Sequence, residues 1–342
     1  MGNAVTPVGE ADRVQTTLVA RTVSAGSLER LAQLEAKITR AVTHARASAT
    51  LRAYRSDWAD FTLWCGGVGL AALPASPATV AAYIAELADP PDDRAPAAVS
   101  TITRRLAAIG EGHQVAGQTN PCVEQVVRET MKGIRRLLGV APVQKKPVTT
   151  ADIRAAVTRL SPTVQGDRDR VILLLGFAGG MRRSELAGLD VDDLEDHPDG
   201  LLVHLVRSKT DQEGRGRRIE IVYGTDPATC PVTAVRTWLA ASAIVDGPLL
   251  RPVDRHGRVL AQRLTGQGVA IVVKRHMTSL GHPSIDYAGH SLRRGHATTA
   301  ARNGASERTI MRTTGHTSIE TLRGYIDDAE LFTDPAARYL GL

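Results

Sequence analysis

Several short stretches in the second half of this 342-residue chain carry side chains suited to work on a phosphate group. Residues 179–186 read GGMRRSEL, following an apolar run at 171–177 that stops at the glycine pair. Arg182 therefore falls where a buried helix meets a turn, with Glu185 three residues on to orient it. Residues 290–293 read HSLR, a spacing that puts His290 and Arg293 on one helix face. A guanidinium donates two parallel hydrogen bonds to phosphate oxygens, and an imidazole on the same face reaches the same group. Gly315-His316 is followed nine positions later by Tyr325 in TLRGYI. Between His290 and Tyr325 stand six arginines (293, 294, 302, 308, 312 and 323) against two acids, Glu307 and Glu320. Each segment alone also fits a plain reading: a surface ion pair, a surface histidine and arginine, a half-buried packing tyrosine. Their order, spacing and basic surroundings favour a shared site.

The elements that must position these residues are mostly helical. Leu28, Leu31, Leu34, Ile38 and Val42 recur at three- and four-residue steps, as do Leu51, Tyr54, Trp58 and Phe61, whose helix should end at Gly66-Gly67. Ser76-Pro77 is a helix start, with Val80, Ile84 and Leu87 on the buried side. Further helices are expected over 99–111 and 121–138. The segment GVAPVQKKP at 139–147 breaks the pattern, and Thr149-x-x-Asp152 then opens a new helix with capping-box spacing. Residues 201–207 and 217–223 are apolar-rich, flank a polar loop, and read as two antiparallel strands. The expected fold is mainly α: an N-terminal helical bundle, then a mostly helical domain with a small antiparallel hairpin or sheet.

The length suggests two domains, since single cores stop growing at roughly 250–300 residues. Hydrophobic residues at 43% suffice for real cores, and aromatics at 4% leave those cores to Ala, Leu, Val and Ile. Lysine and arginine outnumber the acids 42 to 36, a surplus that fits a polyanionic partner without deciding for one. Cys65, Cys122 and Cys230 are widely spaced with no CxxC pair, so neither a disulfide framework nor a zinc site is expected, and a cytoplasmic location is. No uninterrupted apolar run spans a bilayer. Residues 1–25 read as a flexible arm, 26–140 as the first domain, 141–148 as a linker and 149–342 as the second domain.

Taken together, R-x-x-E-L at 182–186, H-x-x-R at 290–293, G-H at 315–316 and the tyrosine at 325 resemble the signature of the tyrosine recombinases, the phage-integrase family. Softer patterns widen the resemblance. Thr50, Tyr54, Asp57, Phe61 and Trp64-Cys65, then Ser100, Arg104-Arg105, His113 and Asn120-Pro121, are similar to that family's core-binding domain, so roughly residues 45–335 are covered. The family places a lysine in a β-hairpin between the first arginine and the histidine, and Lys209 lies at the expected hairpin tip, where Arg207 and Arg215 compete with it. Arg183 competes with Arg182, which is preferred because it stands three residues before Glu185.

The resemblance implies a site-specific recombinase that cuts and rejoins duplex DNA through a 3′-phosphotyrosyl bond to Tyr325. Arg182 and Arg293 would stabilise charge on the non-bridging oxygens and His316 would add a hydrogen bond. Lys209 would protonate the departing 5′ oxygen and His290 would move the proton at the tyrosine, with no metal, cofactor or ATP. Expected partners are inverted-repeat half-sites and a homotetramer on two duplexes, with the tail after Tyr325 docking on a neighbour. Arg104, Arg105, Lys132, Arg135, Lys145 and Lys146 are candidate DNA contacts. A type IB topoisomerase uses related residues, and a catalytically silent DNA-binding regulator would keep the fold.

Overall fold

The computed structural model describes residues 48–91, 93–140, 144–205 and 216–330, with Arg30, Gln33, Leu34 and Lys37 as further helical positions. The expected arm, the hairpin tip with Lys209, Arg207 and Arg215, and the tail after residue 330 lie outside the described residues. The chain divides into two compact units, Met1–Pro142 and Val143–Leu342.

In the first unit, α1 (Ser48–Gly67) buries Trp58, Phe61 and Cys65 and ends at the glycine pair. α2 (Pro77–Ala88) starts where the Ser76 hydroxyl accepts the Thr79 N–H at 3.1 Å and Pro77 takes the first turn, where no N–H is needed. α3 (Val99–Val115) runs one turn past the expected end. His113 in that extra turn is wholly buried and satisfied: one ring nitrogen accepts the Ala75 N–H at 2.9 Å, and the other donates to the Ile109 carbonyl at 2.8 Å. A Cβ on Gly112 would lie 2.4 Å from the Trp58 ring, so the bare glycine lets α1 and α3 approach. The helix expected over 121–138 is broken. Asn120 caps a single 3₁₀ turn, Pro121–Val123, Glu124 is extended, and α4 (Gln125–Leu138) begins only after it. Val127, Met131 and Ile134 of α4 join the core of Trp58, Phe61, Tyr83, Ile84, Ile102 and Ile109, with Phe61 meeting Tyr83 edge-on at 5.1 Å.

The second unit opens with α5 (Thr150–Thr158), whose predicted capping box is present: Thr149 and Asp152 exchange side-chain and backbone bonds. α6 (Val164–Ala178) is buried all round along Val171, Ile172, Leu173, Leu174 and Leu175, which makes it the central helix. α7 (Arg183–Gly188) follows the glycine turn. Then comes a sheet of β1 (Leu194–His197), β2 (Gly200–Leu205) and β3 (Arg217–Val222), antiparallel in that order, with Val203 opposite Ile219 and Leu201 opposite Ile221. The sequence shows β2 and β3 as apolar-rich stretches on either side of a polar loop. β1 reads LEDH and has no such pattern; its place comes from pairing with β2, with His204 bonded to Glu195 at 2.7 Å and Arg236 to Asp196 at 2.6 Å.

The remaining helices are α8 (Pro231–Ser242), α9 (Gly266–Ser279), α10 (His290–Arg302), α11 (Glu307–Thr314) and α12 (Ile319–Glu330). α10 packs against both α6 and α12. The stretch before α5 is fastened to α10 and its lead-in. Lys146 N–H bonds the Asp286 carbonyl at 2.8 Å and Val148 N–H the Ser291 carbonyl at 3.1 Å. A Cβ on Gly295 would lie 1.9 Å from the Val148 carbonyl oxygen, so this strap needs glycine on α10. No helix among the described residues is long and apolar enough to cross a membrane.

Candidate active site

Arg182 sits at the start of α7, and Glu185 one turn on has a side chain only 1% exposed. One Glu185 oxygen accepts Arg182 Nη1 at 2.6 Å; the other accepts the Arg182 backbone N–H at 2.9 Å. That second oxygen also takes Nη2 of Arg217, on β3, at 2.9 Å. A buried carboxylate thus holds two guanidiniums by one bond each and the Arg182 backbone by a third, which fixes the Arg182 side chain. Arg182, the arginine three residues before Glu185, is the one whose side chain the carboxylate holds. Arg183 is exposed, and its side chain packs over Gly289.

Arg293 is 1% exposed, in the first turn of α10. Its Nη1 donates to the carbonyls of Gly180, at 2.9 Å, and Thr314. Those carbonyls belong to the two turns that carry the other motifs. Gly180, at φ 55°, precedes Arg182, and Gly315, at φ 65°, precedes His316. Side chains rarely adopt that left-handed backbone, so glycine fits both places. The Arg293 fork therefore ties the separate motifs into one pocket. Its Nε and Nη2 are buried without a hydrogen-bond partner among the described residues. Burial, then the charge of Arg182, with Arg217 adding to it, brings its pKa down to about 9.

Tyr325, on α12, is partly buried against Ala297, Ile310 and Leu322, with its hydroxyl 2.8 Å from His290 Nε2. The His316 ring meets the Tyr325 ring edge-on, centroids 5.5 Å apart, and the Arg294 guanidinium stands 5.5 Å from the ring centre on the helix that carries His290. Arg294 also donates to the Lys145 carbonyl at 2.9 Å, joining the strap to the tyrosine's surroundings. His316 Nδ1 lies 2.8 Å from the Thr314 hydroxyl, whose proton goes to the Ile310 carbonyl at 2.6 Å. Nδ1–H is thus the donor, which leaves Nε2 for another partner.

Desolvation, then the charges of Arg293 and Arg182, holds His316 down to about 3 and His290 to about 4. His290 keeps an exposed edge, and the desolvation comes from the protein packed round the rest of the ring. Both imidazoles are neutral near pH 7, and a neutral Nε2 on His290 can take the phenol proton. The site can therefore bind an oxyanion between Arg182 and Arg293 and present a phenolic oxygen with a base beside it.

Of the residues singled out in the sequence, Arg182, Glu185, His290, Arg293, His316 and Tyr325 come together in this pocket, and Lys209 lies outside the described residues. Arg217 was read only as the first residue of a strand, because nothing in its neighbourhood distinguishes it from Arg215 or Arg218. The six candidate DNA contacts are held in several ways. Arg104 pairs with Asp57 at 3.1 Å, and Arg105 is taken up by Asp60 and the Tyr83 hydroxyl, both at 2.6 Å. Lys132 has only a loose approach to Glu129, at 3.7 Å, and Arg135 is exposed on α4. Lys145 donates to the Ile285 carbonyl and Lys146 pairs with Asp286 at 2.8 Å.

Comparison with known proteins agrees with this geometry. Residues 146–331 match the phage integrase family. An integrase/recombinase xerD homolog of Selenomonas ruminantium is 37% identical over 313 residues, 90% of either chain. The fold is shared with the XerH site-specific recombinase bound to palindromic difH substrate in a post-cleavage complex: TM-score 0.60 and 14% identity, over 97% of this chain and 94% of that one. It is also shared with a lambda integrase tetramer bound to a Holliday junction, TM-score 0.56 and 15% identity, over 90% and 79% of the two chains. A family match over more than half the sequence and a relative alike along nearly all of it lead to one conclusion: this chain belongs to the phage integrase family, the tyrosine recombinases.

Proposed function

We propose that this protein is a site-specific DNA recombinase that cuts and rejoins duplex DNA through Tyr325. The observation that carries the reading is the Tyr325 hydroxyl 2.8 Å from a neutral His290, in the same pocket as the buried Arg293 fork. Tyr325 Oη attacks a backbone phosphorus while its proton passes to His290 Nε2. The bond from phosphorus to the 5′ oxygen breaks, giving a 3′-phosphotyrosyl link and a 5′-hydroxyl whose proton comes from Lys209. Arg182 and the Nε and Nη2 of Arg293, which have no partner among the described residues, bind the non-bridging oxygens, where charge grows in the transition state. His316, with Nδ1 committed to Thr314, donates from Nε2 once the arriving phosphodiester has raised its proton affinity and the ring has taken a proton from water. A phosphotyrosyl bond keeps the energy of the linkage it replaces, so a 5′-hydroxyl of a second duplex reverses the step and exchanges strands without ATP.

The two units divide the work: the first, with residues 26–140, is the core-binding domain, and the second, from residue 149, is catalytic. Both grip one half-site, four protomers join two inverted-repeat sites, and the segment after Tyr325 docks on a neighbouring protomer. The neighbours described as bound to a palindromic substrate and as a tetramer on a Holliday junction support this reading. A nicked suicide duplex, recovered by binding selection from a random library, tests it. Wild type forms a protein–DNA adduct stable to denaturant, and Tyr325→Phe binds the duplex equally but forms none. Absence of the wild-type adduct would leave a DNA-binding regulator. Relaxation of supercoils without exchange between sites would point to a type IB topoisomerase.

A further inference from the structure

The geometry points to Arg217 as a positioning residue for strand cleavage: it shares the Glu185 carboxylate with Arg182 and underlies the turn that presents His316. This rests on the phosphotyrosyl reading above and adds a residue to it. Arg217 and Arg182 divide one carboxylate, Arg217 Nη2 reaching the oxygen that also takes the Arg182 backbone N–H. Arg182 alone bonds each oxygen once, and Arg217 adds a second, charged donor to the oxygen that otherwise has only a backbone N–H, which holds the carboxylate back from the incoming phosphate it would repel. Nη1 of Arg217 lies against Gly315: a Cβ there would sit 2.0 Å from it. The guanidinium is thus wedged between the motif that starts α7 and the turn between α11 and α12.

Two features set this apart from an ordinary structural ion pair. The Arg217 side chain is 16% exposed and its Nε is buried with no partner among the described residues, so the pair is not closed on itself. Its charge also acts inside the pocket, adding to the effects that lower Arg293 and His316. Nη2 is spent on Glu185 and Nη1 faces the glycine turn, so Arg217 works through Arg182, Glu185 and His316 rather than as a principal phosphate ligand.

The test is single-turnover adduct formation on the selected nicked duplex, with half-site affinity and thermal melting measured on the same proteins. Arg217→Gln slows adduct formation about 10- to 100-fold, less than removal of a direct oxyanion donor, while affinity stays within about threefold. Arg217→Lys, which keeps a cation on Glu185 but loses the planar fork, recovers part of the rate. Glu185→Gln combined with Arg217→Gln is no slower than the worse single change, because both act through one carboxylate. A folded Arg217→Gln that cleaves at the wild-type rate overturns the proposal. So does an Arg217→Lys protein no faster than Arg217→Gln, with both rates following the folded fraction alone. If Arg217→Gln does not fold, Arg217→Lys decides: a folded lysine variant slower than wild type supports the assignment, and one as fast as wild type ends it. A wild-type protein without an adduct overturns the phosphotyrosyl reading itself, whatever the variants do.

Discussion

Asp169 on α6 and Glu185 on α7 are both carboxylates of the second unit with side chains 2% and 1% exposed, and both are ringed by cations. Around Asp169 the ring is closed. Arg168 gives Nε and Nη2 to one oxygen, at 3.1 and 2.7 Å, and Arg275 and His276 share the other. Burial would raise its pKa, but the bonds from His276 and Arg168 outweigh burial and hold it below the ordinary carboxylate range. Around Glu185 the ring is open. Arg182 and Arg217 take both oxygens, while Arg293 beside them has, among the described residues, carbonyl partners on Nη1 alone. A buried ion left incompletely bonded costs several kcal/mol in general, and a fold keeps such a group where a ligand completes it. The closed cluster locks α6 to α9; in the proposed mechanism the open one holds positive charge in reserve for a phosphate.

That contrast can be broken, and the largest effect should come from the open cluster. Arg293→Lys replaces a fork by a single ammonium, and the rate of adduct formation should fall about 100- to 1000-fold. An active Arg293→Lys protein would show that the buried fork is only structural. Asp169→Asn, at the closed cluster, should do the reverse. It should lower the unfolding free energy of the protein by about 3 kcal/mol in urea melts, because it strips the partner from buried cations. Adduct formation per folded molecule should be unchanged; a loss of cleavage in folded protein would place Asp169 in the active site.

Acid should separate the two regions more gently. The folded-state values of His290 and His316, about 4 and about 3, lie below the ordinary histidine value of about 6.5. Between those limits the unfolded chain binds more protons, so stability from these two residues is present above about pH 6.5 and is lost as pH falls through the folded values. Melting should therefore be lower at pH 5 than at pH 7, and replacing both histidines by glutamine should flatten that slope. The smallest effect belongs to the first unit. Arg104→Ala removes a partly exposed partner of Asp57, 3.1 Å away, and should cost about 1 kcal/mol or less. A large loss of half-site affinity from that change would instead make Arg104 a DNA contact.

Most of the pocket was legible in the sequence because its residues sit on two local patterns. Three-residue spacing put Glu185 beside Arg182 and His290 beside Arg293, and a helix makes such pairs neighbours whatever surrounds it. Helix starts at Ser76-Pro77 and Thr149-x-x-Asp152 were read the same way, since a cap depends only on adjacent residues. Less legible was anything decided by a partner far along the chain. Arg104 and Arg105 looked like surface charge for DNA, and only the packing of α1 on α3 brings Asp57 and Asp60 against them. The helix proposed over 121–138 missed the break after Val123 because Asn120 and Pro121 can also open a continuous helix.

The residue types, their order and their helical spacing thus came from the chain itself: a tyrosine, two histidines and two arginines fit for phosphoryl transfer. Tertiary structure alone decided that Arg293 would be clasped by the carbonyls of Gly180 and Thr314, that β1 would join the sheet, and that Arg217 would complete the grip on Glu185. The physical reason is range. Helix spacing and caps act over a few residues, whereas bonding a buried guanidinium requires groups that only the packed fold brings within hydrogen-bonding distance.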